Sequence, residues 1–353
     1  KPVRITGDHK ITAIAIAKQI GIIKDETEAL EGREIEKLTD DELYNIVENI
    51  SVYARVSPEH KIRIVRAWQK KSMVVAMTGD GVNDAPALKQ ADVGVAMGIT
   101  GTEVSKEAAS MVLTDDNFAT IVKAISSGRS IYVNIKNSIK FLLSGNAAGI
   151  FSVIFASVAG LAAPFAPVHL LFINLLTDSL PAIAIGLEPH DESIMKEKPR
   201  KRTDSIINKE FIKQVSTKGA LIALVTMTAY YIGFSSGSHL VGSTMAFATL
   251  CLSRLFHSLN CRSKASVFKI GVLSNIYVIL SIIVGSLMLL FVMNYPPLMT
   301  MFEVSKLDIS QHLSVIGLSL IPLVVVQIYK LIKDNNSTSY EQMDKVNNLS
   351  DVV

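Results

Sequence analysis

The chain has 353 residues, of which 49% are hydrophobic and only 19% are charged, and its mean hydropathy is +0.36. This composition excludes an ordinary soluble protein, and the apolar residues are concentrated after residue 130. The net charge of +3 carries no signature of nucleic-acid binding. Cys251 and Cys261 would lie about 15 Å apart on one helix, so we predict no disulfide between them.

Up to about residue 128, short apolar runs alternate with helical patterns, which predicts an α/β region with a parallel sheet. The predicted strands are 3–5, 52–54, 73–77, 93–96 and 111–113. The predicted helices are 9–20, 39–50, one beginning at Ser57-Pro58, one beginning near Asp84, and 102–109. Because strand 73–77 is a continuous apolar run, we expect it to be fully buried.

The most informative stretch is TGDGVNDAPA at 78–87, between strand 73–77 and a helix. It places two carboxylates, Asp80 and Asp84, where a strand ends and a helix begins, which is where open α/β sheets bind ligands. Gly79 and Gly81 would let the backbone approach a ligand closely. Such a loop suits Mg²⁺, which takes one or two carboxylates together with substrate phosphate. The alternative for an isolated Asp-Gly pair is an ordinary surface turn.

A second strand–turn–helix pattern at the start of the chain contains Thr6, Gly7 and Asp8. Backbone N–H groups and the positive end of the helix would face an anion there. On its own this tripeptide is equally compatible with an ordinary turn. Lys61, on the helix after Ser57, is by itself compatible with a solvated surface lysine.

The ten residues 78–87 resemble the hinge motif of P-type ATPases, the cation pumps whose phosphorylation domain has the haloacid-dehalogenase fold. The segment ARVSPEHK at 54–61 resembles the lysine segment of the same family. The resemblance implies an α/β haloacid-dehalogenase-like (Rossmann-type) partial domain over residues 1–128. An all-α bundle of six transmembrane helices would follow over 129–333.

The resemblance also implies roles in phosphoryl transfer, a reaction that depends on positioning and on stabilising spread negative charge. Thr6 and Gly7 would hydrogen-bond the phosphoryl oxygens supplied by ATP, and Asp8 would arrange their loop. Lys61 would neutralise charge on the phosphoryl group, which Asn83 would also contact.

For the metal, the resemblance makes Asp80 a ligand of Mg²⁺, and Asp84 either a second ligand or a support for the first. An Asp-Lys-Thr-Gly-Thr string, which holds the phosphorylated aspartate of the family, does not occur in this sequence. The nucleotide-binding domain, the actuator domain and the first four membrane helices are also missing, and the first residue is not Met. We therefore expect a longer pump that contains this missing N-terminal part, and no ATP hydrolysis by this chain alone.

Six apolar segments follow residue 128, each near the ~20 residues that span a bilayer. They are about 138–158, 165–187, 212–234, 242–261, 271–293 and 312–332. Lysine and arginine are concentrated at 196–202, at 262–269 and after 330, so the positive-inside rule places the soluble region and the C-terminus in the cytoplasm. We expect one long helix to lead into the first span, and the polar tail 334–353 to be disordered.

Polar residues inside these spans indicate function, because burying a polar side chain in a bilayer is energetically unfavourable. Asn174, Thr177 and Asp178 are spaced to share one helix face, and Asn146 lies in the preceding span. Pro181 would loosen the helix and free carbonyl groups nearby. Together these groups offer oxygen ligands for a hard cation. The alternatives are a protonated Asp178 bonded to a neighbouring helix, and an interhelical hydrogen bond for Asn146.

The strings LLFINLLTDSLPA at 170–182 and SGN at 144–146 resemble the sixth and fifth spans of calcium pumps of the sarco(endo)plasmic reticulum type. The resemblance implies transported Ca²⁺ at Asn146, Asn174, Thr177 and Asp178, with Mn²⁺ as an alternative. It also implies an integral protein of the lipid bilayer, in a bacterial-type plasma membrane rather than an organelle. Sodium–potassium pumps fit less well, since they carry an acidic residue where this chain has Asn174.

We further expect one Ca²⁺ per cycle. The two-ion members of the family carry glutamates where this chain has Gly149 and Cys251, so one site has lost both carboxylates. A glutamate from the missing fourth span would complete the other site. Arg254, one turn from Cys251, is expected to reach the cytoplasmic surface roughly 12 Å away. The alternative is that its charge points into the vacated site.

Two rival functions remain open at this point. The first is a membrane-anchored phosphatase of the dehalogenase fold without transport, although an anchor needs no carboxylate within the membrane. The second is a non-enzymatic regulatory membrane protein, which the missing nucleophile permits for the chain taken by itself.

Overall fold

The computed structural model describes the backbone of residues 1–190, 192–200, 204–236 and 238–350, and the same residues' side chains except those of 192 and 335–350. The chain forms two compact units. The first unit comprises Lys1–Ser126 and Met195–Ser205, and the second comprises Ser127–Ile194 and Ile206–Val353.

The first unit alternates strands and helices, as predicted. Its strands are β1 (Arg4–Ile5), β2 (Ala29–Glu31), β3 (Val52–Ala54), β4 (Ala76–Gly79), β5 (Val93–Met97) and β6 (Met111–Leu113). Its helices are α1 (Lys10–Gln19), α2 (Gly32–Glu36), α3 (Asp40–Ile46), α4 (Pro58–Lys70), α5 (Ala85–Gln90) and α6 (Glu103–Ala108). Thr39 and Ser57 cap α3 and α4 through hydrogen bonds to the third helical residue, which satisfies amides that the helix cannot.

The strands form two three-stranded sheets, in the orders β1-β3-β2 and β4-β5-β6, and every pair is parallel. The prediction of parallel pairing is confirmed, but the described strands do not form the single sheet that was expected. Ile5 packs against buried clusters belonging to both sheets. Because β4 and β5 are parallel, their carboxyl ends lie at the same edge, and the loops that follow them are neighbours.

The prediction of a fully buried strand over 73–77 is wrong. Met73 and Val74 are 47% and 59% exposed, and β4 begins only at Ala76. Within the described residues β4 pairs with β5 alone, so it is an edge strand. Met73 and Val74 precede the strand, and a continuous apolar run indicates complete burial only where both faces of the sheet are covered.

The second unit is helical. Among the described residues of the chain, six helices are long and apolar enough to cross a membrane, as predicted. These six candidate spans are Phe118–Val158, Pro167–Gly186, Lys209–Ser235, His239–Cys261, Ile276–Asn294 and Ile309–Asp334. His239–Cys261 is the central span, since 72% of its apolar window is buried, against 33–44% in the other five.

The helices of this region continue the numbering. They are α7 (Phe118–Val158), α8 (Pro167–Phe172), α9 (Ser179–Gly186), α10 (Lys209–Ser235), α11 (His239–Cys261), α12 (Val267–Ile270), α13 (Ile276–Asn294), α14 (Pro296–Met301) and α15 (Ile309–Ser350). The uninterrupted helix expected to lead into the first span is α7. The predicted disordered tail overlaps the end of α15, and its side chains from 335 onward lie outside the described residues.

Candidate functional site

In the first unit, the loop after β4 is folded around Asp84. Its Oδ2 accepts hydrogen bonds from the N–H groups of Asp80 (3.3 Å) and Gly81 (3.2 Å), and its Oδ1 pairs with Nζ of Lys61. A Cβ atom at Gly79 would lie 2.4 Å from Cβ of Asp84, so only glycine permits this approach. Both oxygens of Asp84 are therefore committed to holding the loop and Lys61.

Asp80 has the opposite environment. Its side chain is exposed, and the described residues offer its carboxylate no hydrogen bond or ion pair. Asn83 is exposed beside it. Among the described residues there is no group of three or more His, Cys, Asp or Glu side chains that could hold a metal. A carboxylate free of partners suits Mg²⁺, which takes its other ligands from phosphate and water.

The loop that contains Thr6, Gly7 and Asp8 is held by the end of β3. The N–H of Thr6 donates to the carbonyl of Tyr53 (2.9 Å), and the N–H of Arg55 donates to the carbonyl of Asp8 (3.1 Å). The N–H of Asp8 also donates to Oγ1 of Thr6 (3.2 Å). Gly7 is exposed at the tip, at the carboxyl end of β1, where its N–H is accessible to an anion.

In the second unit, the helix that carries Asp178 is interrupted. Residues Ile173–Thr177 form a π-helical turn between α8 and α9, and the N–H of Asp178 donates to the carbonyl of Ile173 (3.1 Å). Pro181 accounts for the break, since a proline has no N–H and its ring clashes with the carbonyl four residues earlier, that of Thr177. The predicted loosening is thus located one turn before the proline.

The π turn changes the predicted helix face. Thr177 and Asp178 are buried, but Asn174 is exposed. The hydroxyl of Thr177 donates to the carbonyl of Ile173 (2.8 Å). The shared face assumed 3.6 residues per turn, and a π turn shifts the register of the residues on either side of it.

Arg254 joins two of the predicted cation ligands. Its Nη2 forms an ion pair with Oδ2 of Asp178 and donates to Oδ1 of Asn146 (3.1 Å). The side chains of Arg254 and Asp178 are 3% and 4% exposed. The expectation that Arg254 reaches the cytoplasmic surface is therefore wrong. The buried carboxylate needs a partner, and ion pairing within the protein stabilises both charges.

An unpartnered oxygen marks this pair as a candidate ligand site rather than a closed salt bridge. Oδ1 of Asp178 is buried and has no hydrogen-bond partner among the described residues, and the same is true of Nε of Arg254. A Cβ at Gly145 would lie 2.4 Å from Nε of Arg254, so the glycine lets the guanidinium lie against α7. An oxygen left without a partner in an apolar bundle is a ligand that a hard cation could use.

A second buried ion pair in this unit was not anticipated. Arg262 donates from Nη2 to Oε1 of Glu188 (2.7 Å) and from Nε to Oε2 (2.9 Å), and Oε2 also accepts from Nδ2 of Asn275 (2.8 Å). The carbonyl of Arg262 accepts from Asn137 (3.0 Å). The four residues lie at the ends of α9, α11 and α13 and within α7, and they hold these helices together. The only signal in the sequence is a set of charged and amide residues close to predicted helix ends.

Comparisons with known proteins agree with this architecture. Residues 162–332 match the family described as cation transporting ATPase, C-terminus, and residues 1–92 match haloacid dehalogenase-like hydrolase. The chain is 47% identical to calcium-transporting ATPase 1 of Bacillus cereus, 46% identical to calcium-transporting ATPase 1 of Lactococcus lactis and 38% identical to human calcium-transporting ATPase type 2C member 1.

These alignments cover 95%, 94% and 93% of the chain, but only 40%, 38% and 36% of the respective relatives. The chain therefore spans somewhat over a third of the length of the relatives that it matches. The order of the two family matches is that of the α/β region and the helical region. From these matches, we conclude that the chain belongs to the P-type cation-transporting ATPases.

Proposed function

We propose that this chain is the C-terminal part of an ATP-driven Ca²⁺ pump that cycles through an aspartyl phosphate and moves one Ca²⁺ per cycle. The observation that carries the proposal is the buried carboxylate of Asp178. One of its oxygens is bound by Arg254, and the other has no partner among the described residues. The names of the relatives, calcium-transporting ATPases of bacteria and human, support Ca²⁺ as the ion.

The proposal of a single ion rests on charge and on ligand supply. Arg254 is permanently charged, so it already places one cation against Asp178 and would repel a second divalent ion nearby. Ca²⁺ takes six to eight oxygens. Cys251 is fully buried and offers sulfur instead of oxygen, and Gly149 offers no side chain at all. Asn146, Asp178 and the groups of the π turn can then serve one ion.

In the first unit, the proposed chemistry is phosphoryl transfer from ATP. Asp80 would bind Mg²⁺, which neutralises phosphate charge when bound, and Asp84 would fix the loop that carries it. Lys61 lies against Asp84, from where it would reach the phosphoryl group. Thr6 and Gly7 would donate to its oxygens, in a loop arranged by Asp8.

Other parts of the pump would lie outside this chain. They are the phosphorylated aspartate, the nucleotide-binding and actuator domains, and four further spans. The α/β unit would face the cytoplasm of a bacterial-type cell, with the helices in its plasma membrane. Mn²⁺ is the alternative cargo. No observation favours an anchored phosphatase without transport, since a buried Arg–Asp pair would serve no purpose in a plain anchor.

The test uses the full-length pump reconstituted in sealed vesicles. ATP with Mg²⁺ should drive accumulation of radioactive Ca²⁺ that a calcium ionophore releases. Asp80→Asn, measured in parallel, should give no accumulation. ATP hydrolysis that is independent of Ca²⁺ and moves no ion would overturn the proposal in favour of a phosphatase. Uptake of Mn²⁺ in preference to Ca²⁺ would correct the ion.

A further inference from the structure

The loop after β5, residues 98–102, is held by one carboxylate that no step above uses. Asp116 accepts hydrogen bonds from the N–H groups of Gly98 (2.6 Å), Ile99 (3.0 Å) and Thr100 (2.8 Å), and from Oγ1 of Thr100 (2.8 Å). Successive N–H groups that converge in this way form an anion-binding concavity. Here the anion is a side chain of the same unit.

Asp116 is itself held in an unusual conformation. It lies in the turn between β6 and α7 with φ +48°, a left-handed conformation that few residues other than glycine adopt. The hydrogen bond from the N–H of Ile99 is the main cause of a pKa lowered to about 2, with further donation from Thr100 and Gly98. A strained backbone and a strongly stabilised charge at one residue show that this contact is favoured by the surrounding fold.

The far end of the same loop is bonded to Asp80. The N–H of Thr102 donates to the carbonyl of Asp80 (2.8 Å), and Oγ of Ser105 donates to the same carbonyl (3.1 Å). Hydrogen bonds therefore hold the loop at both ends, to Asp116 at residues 98–100 and to Asp80 at Thr102. A Cβ at Gly101 would lie 2.0 Å from the carbonyl oxygen of Met97, so the backbone is tightly turned there.

We propose that Asp116 is a positioning residue for the Mg²⁺ site. By fixing loop 98–102 at one end, it holds the Asp80 backbone at the other, and so directs the Asp80 carboxylate, which has no partner of its own among the described residues. The inference rests on the proposed function, because it assigns Asp116 a part in phosphoryl transfer. It adds a residue that touches neither metal nor phosphate and acts through the loop 98–102, which is bonded to Asp116 at one end and to Asp80 at the other.

Asp115 provides a matched control. It is adjacent, carries the same charge and belongs to the same turn, but it bonds to the N–H of Asn117 (3.2 Å) and to Oγ1 of Thr120 (2.7 Å) and makes no hydrogen bond to loop 98–102. Asp115→Ala therefore removes one negative charge from the start of α7 without releasing the loop.

The experiment measures phosphorylation of the full-length pump by inorganic phosphate, without Ca²⁺, as Mg²⁺ is varied. In Asp116→Ala the Mg²⁺ concentration for half-maximal phosphorylation should rise about tenfold, the lower end of what loss of an outer partner costs a metal site. Asp115→Ala should match the wild type. Thr100→Val, which deletes one of the four hydrogen bonds, should shift the midpoint in the same direction by less.

A merely structural role would lower the amount of active pump and leave the Mg²⁺ midpoint unchanged. An unchanged midpoint in Asp116→Ala would overturn the inference, as would an equal shift in Asp115→Ala. If Asp116→Ala does not fold, Thr100→Val decides, and a wild-type midpoint there rejects the inference. A wild-type pump that forms no phosphoenzyme would instead overturn the proposed function, and this inference with it.

Discussion

Each unit of the molecule contains a carboxylate paired with a cation, and the two pairs differ in what they leave available. In the α/β unit, the side chains of Lys61 and Asp84 are 15% and 11% exposed, and both oxygens of Asp84 have partners. In the helical unit, the side chains of Arg254 and Asp178 are 3% and 4% exposed, and one oxygen of Asp178 has none among the described residues.

This difference supports our proposal of which carboxylate acts as a ligand. Both oxygens of Asp84 already have partners, so we propose that Asp84 supports the loop and leaves metal binding to the exposed Asp80. One oxygen of Asp178 has no partner among the described residues, so Asp178 is itself the candidate ligand. An exposed carboxylate such as that of Asp80 is solvated by water, so leaving it without a protein partner has little energetic cost. In an apolar bundle, an unpaired charge is costly, and a permanent countercharge such as Arg254 makes the ligand tolerable when no ion is bound.

The largest expected effect is that of Asp80→Asn in the full-length pump. Removing the charge of the one exposed carboxylate in the loop should abolish Mg²⁺-dependent phosphoenzyme formation from radiolabelled ATP. Asp41→Asn is the control, since Asp41 is an exposed carboxylate of α3 paired with Lys70. If Asp80→Asn kept wild-type phosphoenzyme levels, the division of roles between Asp80 and Asp84 would be wrong.

Asp178→Asn should abolish the function of the helical unit and leave that of the α/β unit intact. Phosphorylation by inorganic phosphate should persist, whereas Ca²⁺-activated phosphorylation by ATP should disappear. The variant should also unfold more easily, by about 3–5 kcal/mol, because it leaves Arg254 buried without a countercharge. Asp308→Asn, at the exposed start of α15, should do neither. Normal Ca²⁺-dependent ATPase activity in Asp178→Asn would refute its role as an ion ligand.

The features that the sequence predicted well depend on neighbours along the chain. A loop with two glycines and two carboxylates after an apolar run defines its own geometry, and Asp80 and Asp84 lie at the end of a strand as predicted. The six spans follow from hydropathy alone. Even the break near Asp178 could be inferred from Pro181, although its placement one turn earlier could not.

The features that the sequence predicted poorly depend on contacts between residues far apart along the chain. The partner of Arg254 is Asp178, 76 residues earlier, and its position also requires Gly145 on a third helix. Neither periodicity nor hydropathy indicates such a pairing, so a charged residue seven positions from the end of its helix is predicted at the surface. The exposure of Met73 depends likewise on where β4 begins, and the bonds of Asp116 depend on a loop 16–18 residues away.

Gly145→Ala tests the close packing of the buried pair. The new Cβ would lie 2.4 Å from Nε of Arg254, and overpacking of this kind costs about 1–3 kcal/mol. Thermal unfolding of the purified pump in detergent should therefore occur at lower temperature. Gly149→Ala, one turn further along α7, is the matched control, because nothing lies within 4 Å of its Cβ position. Equal effects of the two variants would show that Arg254 does not lie against Gly145.

The smallest expected effect is a pH dependence in the α/β unit. The pKa of Asp116 is lowered from 3.8 to about 2. Its stabilising contribution is therefore complete above about pH 4 and is lost as the pH falls toward 2. Cleavage by pepsin at the exposed Ile99 should accelerate over this interval in the wild type. In Asp116→Ala it should already be fast at pH 4, and an equally slow cleavage there would contradict the assignment.

The pairing of Asp178 with Arg254 leads us to expect that the helical unit serves a single ion. Equilibrium binding of radioactive Ca²⁺ to the purified full-length pump, compared with the number of phosphorylation sites in the same sample, measures this directly. We predict saturation at one Ca²⁺ per phosphorylation site with a Hill coefficient near one. Saturation at two ions per site would show that Arg254 does not take the place of the second ion.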